Sequence, residues 1–382
     1  MKIVISPQSF KGSLSAKEAA DCIYLACKEI FPDADLKVLP IADGGDGTLE
    51  TLVDATHGSL MKSTVIGPLG INIDAKWGLL GNDIDNKVAI IEMAKASGLA
   101  LLDPNNLDPL SATSFGTGQL LLEAINKGVK KIILGIGGSA TNDCGIGMAK
   151  SLGFKFIDSN SNPISHNVAD FKFLTNIITD HVDNRIFDIK FEVACDVNNI
   201  LCGPQGASFI YGPQKGASLD QIKLMDESLK HVSKVIKSDL NKDVLNLSGA
   251  GAAGGLGAGM VAFCNAKLRP GVDIIFETLN VEDNIKDADL VITGEGQFDL
   301  SSTFNKAPSA IAKLAKRYDI PTLGLAGSLG HGFEKLDDFG IVSKSSIINK
   351  ISDLESVMND AASLLILSTK EQLKAIKIGM NL

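Results

Sequence analysis

The residues best suited to chemistry in this sequence are two glycine-rich loops, several loop carboxylates and three lysines set among small residues. Lys131–Leu134 reads as a strand, followed by Gly135-Ile-Gly-Gly-Ser-Ala-Thr-Asn-Asp-Cys-Gly-Ile-Gly147 and an apolar helix, Met148–Leu152. A strand, a glycine loop and a helix N-terminus in that order present backbone N–H groups and the positive end of a dipole to an anion. Gly137, Gly138, Ser139, Thr141 and Asn142 are the candidate phosphate contacts, and Asn142 with Asp143 offers oxygen atoms of the kind Mg²⁺ takes. A tight turn capped by Asn or Asp would leave the same letters, so the loop alone supports both readings.

The second cluster, Gly249-Ala-Gly-Ala-Ala-Gly-Gly-Leu-Gly-Ala-Gly259, precedes a segment, Met260–Lys267, that reads as amphipathic. Its first six residues satisfy GxGxxG, and Asp273 follows at about the 20-residue spacing of a ribose-binding acid. The preceding run Val244–Leu247 is a poor strand, however, and Pro270-Gly271 interrupts the next one. A backbone that hugs a nucleotide through Gly249, Gly251, Gly254 and Gly255 is therefore favoured over a dinucleotide fingerprint. A nicotinamide-dependent hydroxy-acid dehydrogenase stands as the alternative.

Carboxylates follow three apolar runs. Asp43 and Asp46 lie in ADGGDGT, Asp196 follows Phe191–Ala194, and Glu295 and Asp299 lie in TGEGQFD. In parallel sheets, ligands gather outside the carboxyl ends of strands, where such loops converge. Lys11, in Ser9-Phe10-Lys11-Gly12-Ser13, occupies a strand-to-helix loop where a lysine can meet a phosphate or carboxylate. Lys215 and Lys306 are similar candidates, and for each a solvated loop lysine is an equally good reading. The set suits transfer of a phosphoryl group to a small hydroxylated substrate, which needs positioning and charge neutralisation more than covalent chemistry. Walker A, protein-kinase, GxSxG and HExxH motifs are absent.

The elements that must position these residues alternate at both ends of the chain. Ile3, Val4 and Ile5 read as a buried strand, Ser15-Ala-Lys-Glu18 as a capping box opening a helix, Leu36–Ile41 as a strand and Thr48–Thr56 as a helix. Asp289–Thr293, Thr322–Ala326 and Ile341–Ile348 read as strands, with helices over Pro308–Tyr318 and Leu354–Leu367. Between them, Ile71–Leu80 and Lys87–Ala94 flank a Gly81-Asn82-Asp83 turn and read as an antiparallel hairpin. The near-duplicates Gly203-Pro-Gln-Gly and Gly212-Pro-Gln-Lys read as paired turns. The expected fold is α/β: a doubly wound parallel-sheet domain from both chain ends (1–68 and 285–382), interrupted by a mixed-sheet α/β domain (69–284). The cleft between two such domains is the ordinary place for a ligand.

At 382 residues the chain is long enough for two cores. Apolar residues at 45% and charged residues at 21% describe an ordinary globular protein, and a net charge of −9 without basic clusters argues against a nucleic-acid partner. Six cysteines without a CxxC pair read as reduced, buried thiols. The apolar start, Lys2–Ser6, is too short for a signal segment and no run suits a membrane span, so a cytoplasmic protein is expected.

Read in order, PQSFKGSLSA, ADGGDGT, EMAKASGL, SFGTG, GIGGSATNDCGIGM, ACDVNN, YGPQKGAS, GAGAAGGLGAG and LVITGEG resemble the bacterial glycerate kinase family that forms 2-phosphoglycerate. The resemblance spans Met1 to about Leu329 and implies a Rossmann-like domain, ATP and Mg²⁺ as cofactors, and D-glycerate as the substrate, a related hydroxy acid being the near alternative. It also implies Asp196 as general base and Lys11 with Ser9 on the substrate or transferring phosphate. The loops from Gly137 to Asp143 and from Gly249 to Gly257 would shape the site, with Gly294, Lys215 and Lys306 as further contacts. Mg²⁺ would be held through Asp43, Asp46 or Glu295, and a homo-oligomer is left open. Three positions depart from the family pattern: Gln8 for a usual Asp, Gln297 where Arg is common, and Asn305 for a glycine. Loss of that arginine removes a bidentate donor, and Asn305 adds bulk.

Overall fold

The computed structural model describes residues 1–45, 47–81, 87–304 and 306–380. The strands among them are β1 (Lys2–Ile5), β2 (Asp35–Val38), β3 (Ser59–Ile66), β4 (Asn72–Leu79), β5 (Val88–Glu92), β6 (Lys131–Gly135), β7 (Lys155–Ile157), β8 (Asn176–Ile178), β9 (Lys190–Ala194), β10 (Lys267–Arg269), β11 (Leu290–Phe298), β12 (Thr322–Leu329) and β13 (Ile341–Ser346). They belong to two compact units, one of Met1–Asp43 with Ile275–Leu382 and one of Gly44–Ile274.

In the first unit the apolar runs from both chain ends pair into one parallel sheet of order β13-β12-β11-β1-β2. Ile3 is in register with Leu290 on one side and Leu36 on the other, which joins the two ends of the chain. Alternate residues divide the faces. Ile3, Ile5, Ile292, Leu323 and Leu325 share a core with the helices Ala16–Ile30 and Ala361–Gly379. Phe298, Ala326 and Ile341 share another with the helix Ala307–Lys316. A parallel sheet covered on both faces is the doubly wound arrangement expected from the sequence.

The helix Ala16–Ile30 begins at its capping box, with Ser15 Oγ accepting from the Glu18 N–H and the Glu18 carboxylate accepting from the Ser15 N–H. Two expectations change. The helix expected over Leu354–Leu367 is two helices, Leu354–Asn359 and Ala361–Gly379, parted at Asp360. The strand expected to stop at Thr293 runs through Gly-Glu-Gly to Phe298, because β12 also continues and pairs with it, Glu295 opposite Ala326. Glycine permits that pairing: a Cβ on Gly294 would overlap the Leu325 carbonyl.

The second unit contains a mixed sheet of order β10-β9-β6-β5-β4-β3. Strands β5, β6, β9 and β10 are parallel, and β3, β4 and β5 are antiparallel neighbours. The expected hairpin is the β4–β5 pair, with Gly78 opposite Ile90; Asn82 and Asp83 of its turn lie outside the described residues. The segment Ala252–Cys264 turns through left-handed backbone at Ala253, Gly254 and Gly255 before its helix begins; that helix ends before the expected Met260–Lys267 segment does and is buried almost all round in the unit's core. Val244–Leu247 forms no strand, so the GxGxxG stretch lacks the strand that a dinucleotide fingerprint requires. Both Gly-Pro-Gln segments are turns, closed by the Gly206 N–H on the Gly203 carbonyl (2.7 Å) and the Lys215 N–H on the Gly212 carbonyl (3.0 Å). All six cysteines are free thiols. No helix among the described residues is long and apolar enough to cross a membrane.

Candidate active site

The loop after β6 has an exposed crest, Gly137 and Gly138, over a floor that is buried from Ser139 to Gly147. Asp143 holds the floor. Its Oδ2 accepts from the Ser114 N–H and Oγ, both at 2.8 Å, and from the Gly147 N–H at 3.1 Å, while Oδ1 accepts from the Gly145 N–H at 3.1 Å. Four donors occupy the carboxylate, three of them on Oδ2, so Asp143 caps the helix Ile146–Ser151, which weighs against the Mg²⁺ role suggested for the Asn142/Asp143 pair. Asn142 Nδ2 donates to Ser208 Oγ at 3.0 Å, whereas Thr141 Oγ1 and Asn142 Oδ1 are buried without a partner among the described residues.

The second glycine cluster packs on this floor. The Cys144 N–H donates to the Gly254 carbonyl at 3.1 Å, and Gly254 has a φ of 65°. A Cβ there would overlap the Thr141 carbonyl, so only glycine lets the two loops touch. Gly249, Gly251, Gly254 and Gly255 are all buried. Against the nucleotide-hugging reading, the close approach these glycines permit is made to the protein's own atoms, backbone at Gly251 and Gly254 and side chains first at Gly249 and Gly255. Lys215 is not a solvated turn lysine either: it is 1% exposed, and its Nζ donates to the Thr141 carbonyl at 2.6 Å. Burial draws its pKa down to about 7, with the charge of Asp143 acting in the opposite sense.

Asp196 is exposed just beyond β9, and its Oδ1 accepts from the Gly271 N–H at 3.0 Å. Gly271 opens the helix Gly271–Thr278. Gly44 of ADGGDGT lies beside it with φ +92°; a Cβ on Gly44 would come within 3.0 Å of Ala194 Cβ and 3.7 Å of Asp196 Oδ2. Asp46 lies outside the described residues. A contributor that the sequence did not flag is Glu92, in EMAKASGL. Its buried Oε1 accepts from the Leu49 N–H at 2.9 Å and its Oε2 pairs with Lys95 at 3.4 Å, which anchors the helix Thr48–Ala55 that follows ADGGDGT.

In the first unit Lys11 is exposed at the tip of a turn pinned by buried Phe10. The Phe10 N–H donates to the Leu14 carbonyl at 2.8 Å, and Ser13 Oγ donates to the Phe10 carbonyl at 3.0 Å. The Gln8 N–H donates to the Gly294 carbonyl at 2.8 Å, so Gln8, half-buried Ser9 and Lys11 run beside Gly294-Glu-Gly. Glu295 is buried; Ser302 Oγ donates to its Oε1 at 2.7 Å and Lys306 Nζ stands 3.7 Å from Oε2. Burial raises the Glu295 pKa, the Ser302 hydrogen bond and Lys306 oppose the rise, and the charge of Asp43 adds to it. Asp43 Oδ2 accepts from Gln8 Nε2 at 2.9 Å, which is where the Gln8 departure acts. Asp299 caps the turn Leu300–Thr303 through the Ser301 N–H at 2.7 Å. Gln297 is exposed on β11, and Asn305 lies outside the described residues. Among the described residues no group of three or more His, Cys, Asp or Glu side chains is placed to hold a metal.

These placements accompany extensive similarity to known proteins. The chain is 46% identical over 363 residues to the glycerate kinase of Halalkalibacterium halodurans, covering 95% of each. It is 45% identical over 381 residues to the glycerate 2-kinase of Escherichia coli (strain K12), covering 100% of this chain and 99% of that protein. A crystal structure from Salmonella typhimurium LT2, named for glycerate kinase 2, superposes with a TM-score of 0.92 at 44% identity and covers the whole of both chains. The sequence profile of the glycerate kinase family matches residues 3–377, and the chain belongs to that family.

Proposed function

We propose that this chain is a glycerate 2-kinase, which transfers the γ-phosphoryl group of ATP to the 2-hydroxyl of D-glycerate and releases 2-phosphoglycerate and ADP. The observation that carries the reading is the 45% identity, along essentially the whole of both chains, to a protein named glycerate 2-kinase. The GxGxxG stretch without its strand weighs against the dehydrogenase alternative.

Asp196 has the chemistry of the general base. Its carboxylate, oriented by the Gly271 N–H, takes the proton of the substrate hydroxyl as the new O–P bond forms. A loose transition state asks for that proton late, so an ordinary carboxylate suffices. In the second unit the exposed crest of Gly137 and Gly138 offers N–H groups to phosphate oxygens, with the floor of Ser139, Thr141 and Asn142 behind it. In the first unit Lys11 and Ser9 bind the glycerate carboxylate or the transferring phosphate, and Lys306 lends positive charge beside Glu295.

The carboxylates present fit a divalent cation in one respect: burial chiefly, with the Asp43 charge adding to it, raises the Glu295 pKa, and Mg²⁺ would relieve the repulsion between the two carboxylates. Asp43 and Glu295 would then hold it together with phosphate oxygens, as Mg²⁺ is ordinarily held, and it would neutralise charge on those oxygens. The enzyme would work in the cytoplasm, where ATP is supplied.

Phosphorus NMR of the product, after incubation with ATP, Mg²⁺ and each of a panel of hydroxy acids, tests the reading. It requires 2-phosphoglycerate from D-glycerate. A 3-phospho product, or a better turnover of another acid, would replace the assigned reaction.

A further inference from the structure

We propose that Lys215 is a positioning residue for phosphoryl transfer: its ammonium, held on the Thr141 carbonyl, fixes the floor of the loop after β6 and so sets where the crest at Gly137 and Gly138 presents its N–H groups to ATP. The proposal rests on the kinase reading above and assigns a function to a buried charge that the reading does not otherwise use.

Three observations carry it. The Nζ–carbonyl bond, at 2.6 Å, joins the floor to a turn 74 residues away in sequence. That turn, Pro213–Lys215, stands just ahead of the helix Leu219–Leu240, which a full capping box begins, so the anchor is rigid. Second, Thr141 Oγ1 and Asn142 Oδ1 are buried without hydrogen-bond partners among the described residues, so beside the bonds of Asp143 and of the Asn142 amide nitrogen the Lys215 bond is the one that holds the floor at Thr141 from outside the loop. Third, neutralising Asp143 does not require the lysine, because four hydrogen bonds already satisfy that carboxylate.

Burial pulls the ammonium down to about 7 against the opposing charge of Asp143. An apolar side chain of similar length would fill the space with less loss of solvation. A lysine kept at such a place is explained by geometry: its Nζ–H takes the Thr141 carbonyl as its partner and holds it in one position.

The test is Lys215→Met in the full chain, measured by steady-state kinetics, by calorimetry of ADP binding and by thermal unfolding. The expected result is a folded protein whose kcat falls about 10²-fold, as displacement of a reacting group by about 1 Å would cause, with weaker ADP binding, an unchanged KM for glycerate and partial recovery in Lys215→Arg. A variant that melts earlier yet keeps the wild-type kcat and ADP affinity would overturn the proposal and leave Lys215 a packing residue. If Lys215→Met does not fold, the double variant with Asp143→Asn, which removes both buried charges together, is compared with Asp143→Asn alone by the same criteria. A wild-type chain that forms no ADP refutes the kinase reading itself; ADP affinity of the variants then still decides the positioning role.

Discussion

The Asp196 carboxylate accepts a 3.0 Å hydrogen bond from the Gly271 N–H, at the first turn of the helix Gly271–Thr278. One oxygen is thereby oriented by the backbone. Asp196→Asn can keep this bond through its amide oxygen while losing the ability to take a proton. We expect kcat to fall by roughly 10²–10⁴, the range typical of a lost acid or base, with an unchanged thermal midpoint. Normal turnover in Asp196→Asn would remove this residue from the base role.

Asp143 satisfies four donors from inside the fold. Asp143→Ala strands the Ser114, Gly145 and Gly147 N–H groups and uncaps a helix, which should cost about 3 kcal/mol or more. Urea unfolding measures it. A loss below about 1 kcal/mol would mean that water or neighbouring groups replace the carboxylate.

Glu295 is expected to affect stability and activity in opposite directions. Its pKa is raised by burial, so its ionised form burdens the fold, and the stability it contributes is present at low pH and lost as pH rises through the raised folded value. Glu295→Gln can retain the Ser302 hydrogen bond without the charge. The thermal midpoint at neutral pH should rise while kcat with Mg²⁺ falls. Equal or lower stability would show that Lys306, 3.7 Å away, already compensates the buried charge.

Glu192, 1% exposed, shows the opposite titration behaviour. Burial alone would raise its pKa, but Lys131 at 2.6 Å and Lys190 at 2.8 Å outweigh burial and hold it at about 2, below the ordinary 4.5. A depressed folded value stabilises the protein above the unfolded pKa, and that contribution disappears as pH falls from about 4.5 towards 2. Glu192→Gln should cost about 3 kcal/mol at neutral pH and flatten the acid limb of stability. Chemical denaturation across that pH range gives both quantities, and an acid limb identical to wild type would assign the loss to other carboxylates.

The fold was legible wherever one physical signal acted locally. Ser15 and Glu18 form a capping box because their spacing permits nothing better, and Ile3, Val4 and Ile5 lie in a buried parallel strand because apolar runs next to turn residues have few other places to go. The extension of β11 through Gly-Glu-Gly was hidden because it depends on β12 running alongside, a long-range pairing that no local pattern encodes. Asp196 lies just after β9 and Lys11 between the first strand and its helix, where the sequence placed them, and both are exposed. Lys215 could not be read correctly from its neighbours: a lysine between Gln and Gly looks solvated, and only the fold brings the Thr141 carbonyl to it. The glycines from 249 to 255 are ambiguous for a related reason, since close approach to a ligand and close approach to another loop require the same residue.

The most direct measurement is ADP release by the purified full chain with ATP and Mg²⁺, with and without D-glycerate, followed through a coupled enzyme. ADP formation should depend on D-glycerate and disappear when Mg²⁺ is chelated. Release that ignores glycerate, or none at all despite tight ATP binding, would contradict the assignment of a glycerate kinase reaction to this chain.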